Sequence, residues 1–214
     1  MDDAIANMRK EYKLQSLKTT DILPHPIRQF ERWFAEARQA QLTEPNAMTL
    51  STVSPEGRPS ARVVLLKGVE NDAFVFYTNY LSRKGKEIET DAYVALTFFW
   101  AELERQVRIE GRATRISEER STAYFHSRPR GSQIGAWVSP QSQEITDRNV
   151  LDERLASYTA EFEGQEVPKP PHWGGYEVVP DRIEFWQGQP SRLHDRVCYM
   201  LEGEQSWKTV RLAP

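Results

Sequence analysis

Residues 183–196 read I-E-F-W-Q-G-Q-P-S-R-L-H-D-R, an apolar run followed by a turn and a second strand-like run. Gly188 and Pro190 interrupt the apolar run after Trp186, which is typical of a turn. Short runs of this kind recur along the chain at hairpin spacing, with amphipathic helices inserted between them. The sequence therefore predicts a mainly β fold with added helices (α+β), an antiparallel β-barrel decorated by helices.

Three basic side chains follow this turn at a spacing of two: Arg192, His194 and Arg196. In an extended strand, residues i and i+2 share a face and lie about 6.5–7 Å apart. One interpretation is an edge strand with a solvated charged face, which is the commoner fate of such a pattern. The other is a wall of an anion-binding pocket, in which His194 exchanges a proton near neutral pH. The spacing alone does not separate the two.

The composition is that of a globular protein. The chain has 214 residues, of which 39% are hydrophobic and 11% aromatic, enough for a sizeable core. Its net charge of −3 gives no general attraction to nucleic acid or to anionic membranes, and neither is expected as a partner. We expect a single domain over residues 25–214, preceded by a mobile segment at 1–24.

Cysteine usage and hydropathy bear on the location of the protein. Cys198 is the only cysteine, so no intramolecular disulfide forms and a reducing compartment is expected. No apolar segment approaches the ~20 residues needed to span a bilayer. The N-terminus begins with acidic residues and has no apolar signal-peptide core. These features predict a cytoplasmic protein.

Periodicity and turn residues predict the positions of the elements. Strands are expected at 47–53, 59–67, 73–78, 93–100, 106–116, 176–179, 182–186, 193–201 and 207–212, and helices from Pro26, Ser82, Ser117 and Asp147. The run Val63–Leu66 lacks polar alternation and is expected to be buried on both faces. Arg9 and Tyr12 stand at helical spacing near the N-terminus, which favours a frayed helix over the alternative, a flap that closes over a ligand.

Two cationic clusters combine Arg or Lys with neutral hydrogen-bonding groups. The first comprises Arg62, Arg83, Lys84, Gln141 and Ser142, and the second comprises Lys67, Tyr124, Arg128 and Ser132. Guanidinium forks, ammonium groups and hydroxyls are the donors that bind phosphate. Arg83 and Lys84 also open a helix, where cations are unfavourable unless an anion binds the helix N-terminus. Each residue alone is more often solvated surface, but the two clusters together predict a site for two phosphate groups.

Other site chemistries find little support in the sequence. The four histidines are not at zinc-ligand spacing, and no metal site is predicted. There is no glycine-rich phosphate loop of the nucleotide-binding type. A serine nucleophile with a histidine base stays open, although no G-x-S-x-G motif supports it.

A series of short segments gives the chain a specific resemblance. These segments are R-V-V-L-L-K at 62–67, F-Y-T-N at 76–79, S-R-K at 82–84, E-R-Q-V at 104–107, Y-F-H-S-R-P-R-G-S-Q-I-G-A-W-V-S at 124–139, Q-S at 141–142, F-W-Q-G at 185–188, R-L-H-D-R at 192–196 and R-L-A-P at 211–214. In these segments the chain resembles the pyridoxine (pyridoxamine) 5′-phosphate oxidase family. One segment alone would be a weak signal, whereas the ordered series is specific.

The resemblance implies a homodimer of split β-barrels with FMN at the subunit interface. The residues it implies for FMN binding are Arg62, Val63, Val64, Leu65, Leu66, Lys67, Tyr77, Thr78, Arg83, Lys84, Gln106, Gln141, Ser142, Trp186 and Arg196. Those it implies for substrate binding are Arg9, Lys10, Glu11, Tyr12, Lys67, Tyr124, Arg128, Ser132, Arg192, Leu193 and His194, with residues 9–12 acting as a lid. This partition agrees with the two cationic clusters.

The implied reaction is the oxidation of pyridoxine 5′-phosphate or pyridoxamine 5′-phosphate to pyridoxal 5′-phosphate, in vitamin B6 biosynthesis and salvage. The substrate C4′ carbon would give a hydride to FMN, and O2 would then reoxidise the cofactor and yield hydrogen peroxide. Arg192 and His194 are the implied catalytic residues, which orient the pyridine ring and stabilise developing charge.

Two other functions are compatible with part of the pattern. A related FMN oxidase of the phenazine-pathway type would act on another substrate and would not need the complete second cationic cluster. A non-catalytic barrel that stores or senses flavin or haem would need neither that cluster nor the pair Arg192 and His194. Peroxide release with a phosphorylated vitamer distinguishes the oxidase from both.

Overall fold

The computed structural model describes residue 7, residues 11–203 and residues 206–214. Within these ranges it contains five α-helices and nine β-strands, besides short 3₁₀ turns. The helices are α1 (Pro26–Gln39), α2 (Arg83–Thr90), α3 (Glu118–Ser127), α4 (Arg130–Val138) and α5 (Asn149–Glu161). The strands are β1 (Ala47–Val53), β2 (Pro59–Leu65), β3 (Gly68–Glu70), β4 (Ala73–Asn79), β5 (Tyr93–Trp100), β6 (Arg105–Arg115), β7 (Trp173–Gln187), β8 (Asp195–Glu202) and β9 (Ser206–Leu212).

The strands of the described ranges form one sheet in the order β2-β1-β5-β6-β7-β4-β3, with β8 pairing with β7 and β9. The pairs β3–β4, β4–β7, β7–β8 and β8–β9 are antiparallel. The predicted α+β architecture built on an antiparallel sheet is therefore confirmed. None of the helices in these ranges has the length and apolar composition needed to cross a membrane.

Packing divides the chain into two compact units that alternate along the sequence. The first unit comprises residues 1–49, 95–110 and 180–214, and the second comprises residues 50–94 and 111–179. Strands β1, β5, β6 and β7 each contribute residues to both units. The single domain expected over 25–214 stays a prediction.

In the first unit, α1 provides a large part of the core. The helix begins at Pro26, whose fixed φ suits the first helical position. Ile27, Phe30 and Trp33 are buried on one face at three-residue spacing, as in an amphipathic helix. The Trp33 ring meets Phe185 of β7 edge-on, with 5.2 Å between ring centroids. These contacts pack the helix against the strands of its own unit.

In the second unit, three helices pack around the beginning of β7. The buried cluster comprises Phe125, Ile134, Val138, Phe162, Val167 and Trp173, contributed by α3, α4, the segment that follows α5 and the start of β7. Helix α2 is capped by Ser82, whose Oγ accepts a hydrogen bond from the backbone N–H of Gly85. This cap fixes the first turn of α2, where two residues of the first cationic cluster lie.

Strand β7 differs from the sequence prediction, because it is one strand of 15 residues rather than two. It pairs with β4 through residues 173–178 and with β8 through residues 182–187. Pro180 lies in the interval between these two ladders, so its missing N–H interrupts neither of them. The prediction of two separate strands, at 176–179 and 182–186, was therefore wrong.

The run Val63–Leu66 was expected to be buried on both faces, and this was wrong for all but one residue. Only Leu66 is buried, at 6% exposure, whereas Val63 is 67% exposed. Strand β2 stands at one end of the strand order and pairs only with β1 in the described sheet. An edge strand has a neighbouring strand on one side only, so its side chains have fewer partners to pack against within the chain.

The N-terminal segment also differs from the expected frayed helix. Residues 11–18 are described and contain no helix. The Leu17 side chain is buried, at 4% exposure. Arg9 lies outside the described residues, so its predicted pairing with Tyr12 stays untested.

Candidate active site

The second unit contains a cavity of about 1010 Å³ that collects most of the predicted site residues. Those that line it are Arg62, Val63, Val64, Leu65, Lys67, Tyr77, Thr78, Arg83, Lys84, Tyr124, Arg128, Ser132, Gln141 and Ser142. Leu66 does not line it, since its side chain points into the core. Both cationic clusters therefore face the same cavity.

Lys84 is the most buried cation of the first cationic cluster, with 9% exposure. Its Nζ donates hydrogen bonds to Gln141 Oε1 at 3.0 Å and to Thr78 Oγ1 and Ser82 Oγ at 3.3 Å. Burial, reinforced by the nearby Arg62 cation, lowers the pKa of Lys84 to about 8. All three acceptors are neutral, and no carboxylate of the described residues forms an ion pair with this ammonium.

Arg62 and Arg83 are held by a buried carboxylate, Glu87. Arg83 Nε donates to Glu87 Oε1 at 2.8 Å, and Arg62 Nη2 donates to Glu87 Oε2 at 3.4 Å. Burial alone would raise the pKa of this carboxyl, but hydrogen bonds from Thr52, Ser60 and Arg83 lower it to about 2. Glu87 is therefore ionised, and it fixes both guanidinium groups on the cavity wall.

The charges of the first cationic cluster suit a phosphate dianion. Arg62, Arg83 and Lys84 bring three positive charges and Glu87 one negative charge, which leaves a net charge of +2. Gln141 and Ser142 belong to a loop that is exposed, and Ser142 has a positive φ of 69°. The loop is tied to the cluster by the contact between Gln141 and Lys84.

In the second cationic cluster, Arg128 projects from the end of α3 over aromatic rings. Its guanidinium carbon lies 4.6 Å from the ring centroid of Trp173 and 5.6 Å from that of Phe125. Its Nη1 is buried and has no hydrogen-bond partner among the described residues. Burial also lowers the pKa of Arg128. An unpartnered guanidinium N–H in a cavity wall is a donor that an anionic ligand would satisfy.

Aromatic rings support the second cationic cluster. The rings of Tyr77 and Tyr124 stack with 3.8 Å between centroids and 17° between planes. Tyr77 also stacks on Trp173, at 5.4 Å and 10°. These nearly parallel rings form a rigid apolar wall of the cavity.

Lys67 and Ser132 complete the second cationic cluster, and both side chains are exposed in the cavity wall. Ser132 lies in the first turn of α4, which begins at Arg130. The helix forms because Pro129 precedes its first residue, and the backbone N–H of Ser132 bonds to Pro129 O at 2.8 Å.

The first unit contains a second group of predicted residues, around His194. The imidazole lies 4.6 Å from the Trp186 ring and 5.8 Å from the Tyr12 ring, centroid to centroid. Tyr12 in turn meets Trp186 edge-on at 5.7 Å. A residue from the N-terminal segment therefore packs directly on the pair Trp186 and His194.

The protonation of His194 follows from its neighbours. The backbone N–H of Gln189 donates to His194 Nδ1 at 3.1 Å, so the neutral ring carries its proton on Nε2. Burial, followed by the Arg192 cation, lowers the pKa of His194. Near neutral pH the ring is therefore an uncharged hydrogen-bond donor through Nε2.

The expected strand face bearing Arg192, His194 and Arg196 is wrong for Arg192 and His194, because both residues precede β8. Residues Pro190–Arg192 form a 3₁₀ turn, and β8 begins only at Asp195. Ser191 and Arg192 both have positive φ, 55° and 61°. Two such residues in succession break the period-two alternation, because the chain reverses direction there. Arg192 and Leu193 are consequently exposed on a turn.

Arg196 does lie on β8, opposite Trp186 in the β7–β8 register. Its guanidinium forms a bidentate ion pair with Glu184, with both distances 2.9 Å, and Nη1 donates to Ala213 O at 2.8 Å. Arg196 thus fixes the C-terminal residues to β8. Gln106 is half-buried on β6 of the same unit.

Glu11 is exposed and pairs with Lys13 at 2.6 Å. Arg9 and Lys10 lie outside the described residues. Sequence reasoning did not identify Glu87 or Trp173, both of which support the cavity wall. The signal for Glu87 was its spacing of four residues from Arg83 on a helix. No such signal existed for Trp173, since its position under Arg128 depends on packing distant in sequence.

Two family models match the chain. Residues 34–160 match a family described as pyridoxamine 5′-phosphate oxidase. Residues 173–214 match one described as the pyridoxine 5′-phosphate oxidase C-terminal dimerisation region. Together the two models include every described residue that lines the cavity.

Similar proteins cover the whole chain. A protein from Rubrobacter xylanophilus is 58% identical over 98% of this chain and 96% of its own length. One from Acaryochloris marina is 55% identical over 99% of this chain and 96% of its own length. Both are named pyridoxine/pyridoxamine 5′-phosphate oxidase.

Solved structures share the fold. PhzG from Burkholderia lata, in complex with tetrahydrophenazine-1-carboxylic acid, has a TM-score of 0.88 and 31% identity, over 96% of this chain and all of that one. An FMN-binding protein from Nostoc punctiforme, related to pyridoxamine 5′-phosphate oxidase, has a TM-score of 0.70 and 18% identity, over 90% of this chain and all of that one. These likenesses confirm the predicted split-barrel fold.

Proposed function

The chain belongs to the pyridoxamine 5′-phosphate oxidase family, and we propose that it oxidises pyridoxine 5′-phosphate or pyridoxamine 5′-phosphate to pyridoxal 5′-phosphate with FMN as cofactor. It is an oxidoreductase, as its relatives named for this activity are more than half identical to it over nearly their whole length. The observation that carries the proposal is the cavity of the second unit, where two separate cationic clusters line one space. This arrangement supports a site for two phosphate groups, one of the cofactor and one of the substrate.

The first cationic cluster fits the phosphate of FMN. Lys84 is a buried cation in contact with neutral acceptors, and Arg62 and Arg83 are held in place by Glu87. A phosphate dianion would neutralise their net charge of +2. When bound, FMN supplies the two-electron acceptor for the oxidation of the substrate carbon C4′. The remaining residues proposed for its site are those that the resemblance implies.

The second cationic cluster fits the phosphate of the substrate. Arg128 offers a buried N–H without a partner, and Lys67, Tyr124 and Ser132 offer an ammonium and two hydroxyls in the same cavity. Binding of an anion there would remove the cost of the unsatisfied guanidinium donor. The cluster therefore selects phosphorylated vitamers over the unphosphorylated ones.

In the first unit, Arg192 and His194 are proposed to act on the substrate ring. His194 is held by Trp186, Tyr12 and the Gln189 N–H, which present its Nε2–H as a donor. Arg192 supplies a permanent cation on an exposed turn. A neutral donor beside a cation stabilises negative charge that develops on a substrate oxygen or ring during oxidation.

Three finer features belong to the same proposal. Residues 173–214 match a dimerisation region, which supports a homodimer. O2 is the proposed final electron acceptor, with hydrogen peroxide as its product. The cytoplasm is the proposed location, because the one cysteine, Cys198, is buried and unpaired, as is usual in a reducing compartment.

The test is an assay of the FMN-loaded protein with each phosphorylated vitamer, following pyridoxal 5′-phosphate and peroxide together. We expect both products in equal amounts, and kcat/KM at least about 100-fold lower for unphosphorylated pyridoxine, since charged hydrogen bonds to phosphate contribute roughly 1.5–3 kcal/mol each. Arg192→Met and His194→Ala should each lower kcat/KM by about 10-fold or more. Absence of peroxide with both vitamers would contradict the proposal. Unchanged kcat/KM in both variants would contradict the catalytic assignment.

A further inference from the structure

Residues 12–17, here called the strap, are fixed to the first unit through their backbone. The N–H groups of Lys13 and Leu14 both donate to Glu104 Oε2, at 2.9 and 3.1 Å. Glu104 is 2% exposed and has a left-handed backbone, with φ 54°. A buried carboxylate that receives two N–H groups from a segment 90 residues away in sequence is a specific anchor for that segment.

The other end of the strap has a second carboxylate anchor. The Leu17 N–H donates to Asp195 Oδ2 at 3.0 Å, and Gln189 Nε2 donates to the same oxygen at 3.0 Å. Arg211 Nη1 holds Asp195 Oδ1 at 3.1 Å and orients the carboxylate. Asp195 therefore fixes both the strap and Gln189, whose backbone N–H bonds to His194.

Tyr12, the first residue of the strap, packs closely against Gly188. A Cβ placed on Gly188 would lie 2.7 Å from Tyr12 Cγ and 2.9 Å from Tyr12 Cβ. The Gly188 N–H itself donates to Glu104 O at 2.7 Å. Gly188 thus permits the close approach of Tyr12 that brings its ring against Trp186 and His194.

We propose that Glu104 and Asp195 are positioning residues, which anchor the strap at its two ends and so hold the Tyr12 ring against Trp186 and His194. The role in catalysis rests on the proposed function, in which His194 faces the substrate. Neither carboxylate need touch the substrate, since each acts through the backbone of the strap. Loss of an anchor releases Tyr12 and weakens substrate binding more than it slows the chemical step.

The first experiment compares Glu104→Gln and Asp195→Asn with the unmodified FMN-loaded protein. An amide keeps one acceptor oxygen but loses the charge that strengthens both N–H bonds. We expect hydrogen exchange at the Lys13, Leu14 and Leu17 amides to become about 10-fold faster. We expect KM to rise about five-fold while kcat changes less than about two-fold. This combination indicates the loss of an interaction that stabilises the bound substrate and the transition state equally.

The matched control is Glu102→Gln, an exposed glutamate in the turn that precedes Glu104. It removes the same charge from the same turn, and we expect neither faster exchange in the strap nor a change in KM. Exchange at β7 amides should stay slow in all three variants, which separates release of the strap from unfolding.

The second experiment is a double-mutant cycle on Gly188 and Tyr12. Gly188→Ala should displace the Tyr12 ring and raise KM as Tyr12→Gly does. In the Tyr12→Gly background, Gly188→Ala should have much less further effect, because the Cβ and Cγ that it would strike are both absent and only Glu104 Cβ, at 3.1 Å, remains close. Additive effects of the two substitutions on KM would overturn the role assigned to Gly188.

The two proposals fail separately. If both phosphorylated vitamers prove not to be substrates, the proposed function fails, while the exchange rates still test the anchors. If Glu104→Gln and Asp195→Asn leave strap exchange at the rate of the unmodified protein, the anchors are refuted, whatever the activity.

Discussion

Lys84 is a buried ammonium that donates hydrogen bonds to neutral oxygens. In this environment its pKa depends on whether an anion is bound nearby. Burial and the Arg62 cation lower its pKa to about 8, and Glu87 offsets the shift only in part. A phosphate dianion in contact with Lys84 would favour the charged form and raise the pKa again. Anion binding and protonation of Lys84 are therefore linked.

The affinity for FMN should fall as the pH rises above about 8, the pKa of Lys84 without a bound anion. Below that pH the ammonium is already formed, so affinity is flat, and above it each pH unit should weaken binding by up to about 10-fold. The phosphate stays a dianion throughout, because its second pKa is about 6. Fluorescence titration of FMN between pH 7 and 9 measures the effect.

Lys84→Met is the control for this linkage. It should bind FMN more weakly at pH 7 and show no change in affinity between pH 7 and 9. An unmodified protein whose affinity is constant over that range would contradict the role of Lys84.

For His194, burial and, after it, the cation of Arg192 act in the same direction, and both lower the pKa below its ordinary value of 6.5. The ring is in contact with Tyr12, Trp186 and the Gln189 N–H, and Arg192 is the charged group that shifts its pKa. Arg192→Met should therefore raise the pKa of His194, without restoring it fully, because burial remains. NMR titration of the His194 ring protons measures the shift, with Arg182→Met as the control.

The acid limb of the kcat/KM profile should move with this pKa. As pH falls through it, His194 gains a proton on Nδ1 and loses the hydrogen bond from Gln189. Activity that depends on neutral His194 then declines, at a higher pH in Arg192→Met than in the unmodified protein. If Arg192→Met left the pKa of His194 unchanged, the proposed effect of the Arg192 cation on that pKa would be contradicted.

At the scale of elements, α2 illustrates how a glycine can be required inside a helix. A Cβ on Gly85 would lie 2.2 Å from the backbone oxygen of Tyr80 and 2.6 Å from its carbonyl carbon. The helix start would have to move away from the chain that precedes it, and the cap made by Ser82 would be lost with it.

Gly85→Ala should therefore lower the free energy of unfolding by about 2 kcal/mol or more, since overpacking costs typically 1–3 kcal/mol and a lost cap about 1 kcal/mol. Gly135→Ala is the matched control, because a Cβ on this α4 residue would meet nothing within 4 Å. It should raise stability by about 0.5–1 kcal/mol, the usual preference for Ala in a helix. Chemical denaturation of both variants checks the opposite signs.

Local sequence patterns predicted most elements because the residues that begin or end an element are close to it in sequence. Pro26 and Ser82 mark the starts of α1 and α2, and β1 and β5 have the predicted bounds. The failures depend on distant partners. Pro180 is tolerated in β7 because the two flanking ladders leave an interval. The N-terminal segment is held by Glu104 and Asp195, 90 and 178 residues away.

For the whole molecule, the two cationic clusters could be predicted because phosphate recognition demands few residue types. The cavity of the second unit brings together both clusters, from segments between Arg62 and Ser142. What sequence could not predict is part of the support beneath them: the Trp173 ring and the burial of Leu66 away from the cavity. These depend on how side chains pack, which residue type alone does not specify.

The assembly is the last property to test, because several large apolar side chains are exposed on strands of the single chain. Phe99 on β5 and Val179 on β7 are 57% and 51% exposed, and Val179 belongs to the region matched by the dimerisation model. In a twofold-symmetric dimer each interface substitution occurs twice. Burial of an aliphatic side chain contributes about 1.5 kcal/mol, so Val179→Asp should weaken association by roughly 100-fold.

Sedimentation velocity over a range of concentrations should give twice the mass of the chain for the unmodified protein and a shift towards monomer for Val179→Asp. Leu155→Asp is the control, on α5 and outside residues 173–214, with 45% exposure in the chain. It replaces an apolar group of similar exposure and should leave the dimer intact. If Val179→Asp dissociated no more readily than Leu155→Asp, the β7 surface would not be part of the interface, whereas a monomeric unmodified protein would contradict the homodimer itself.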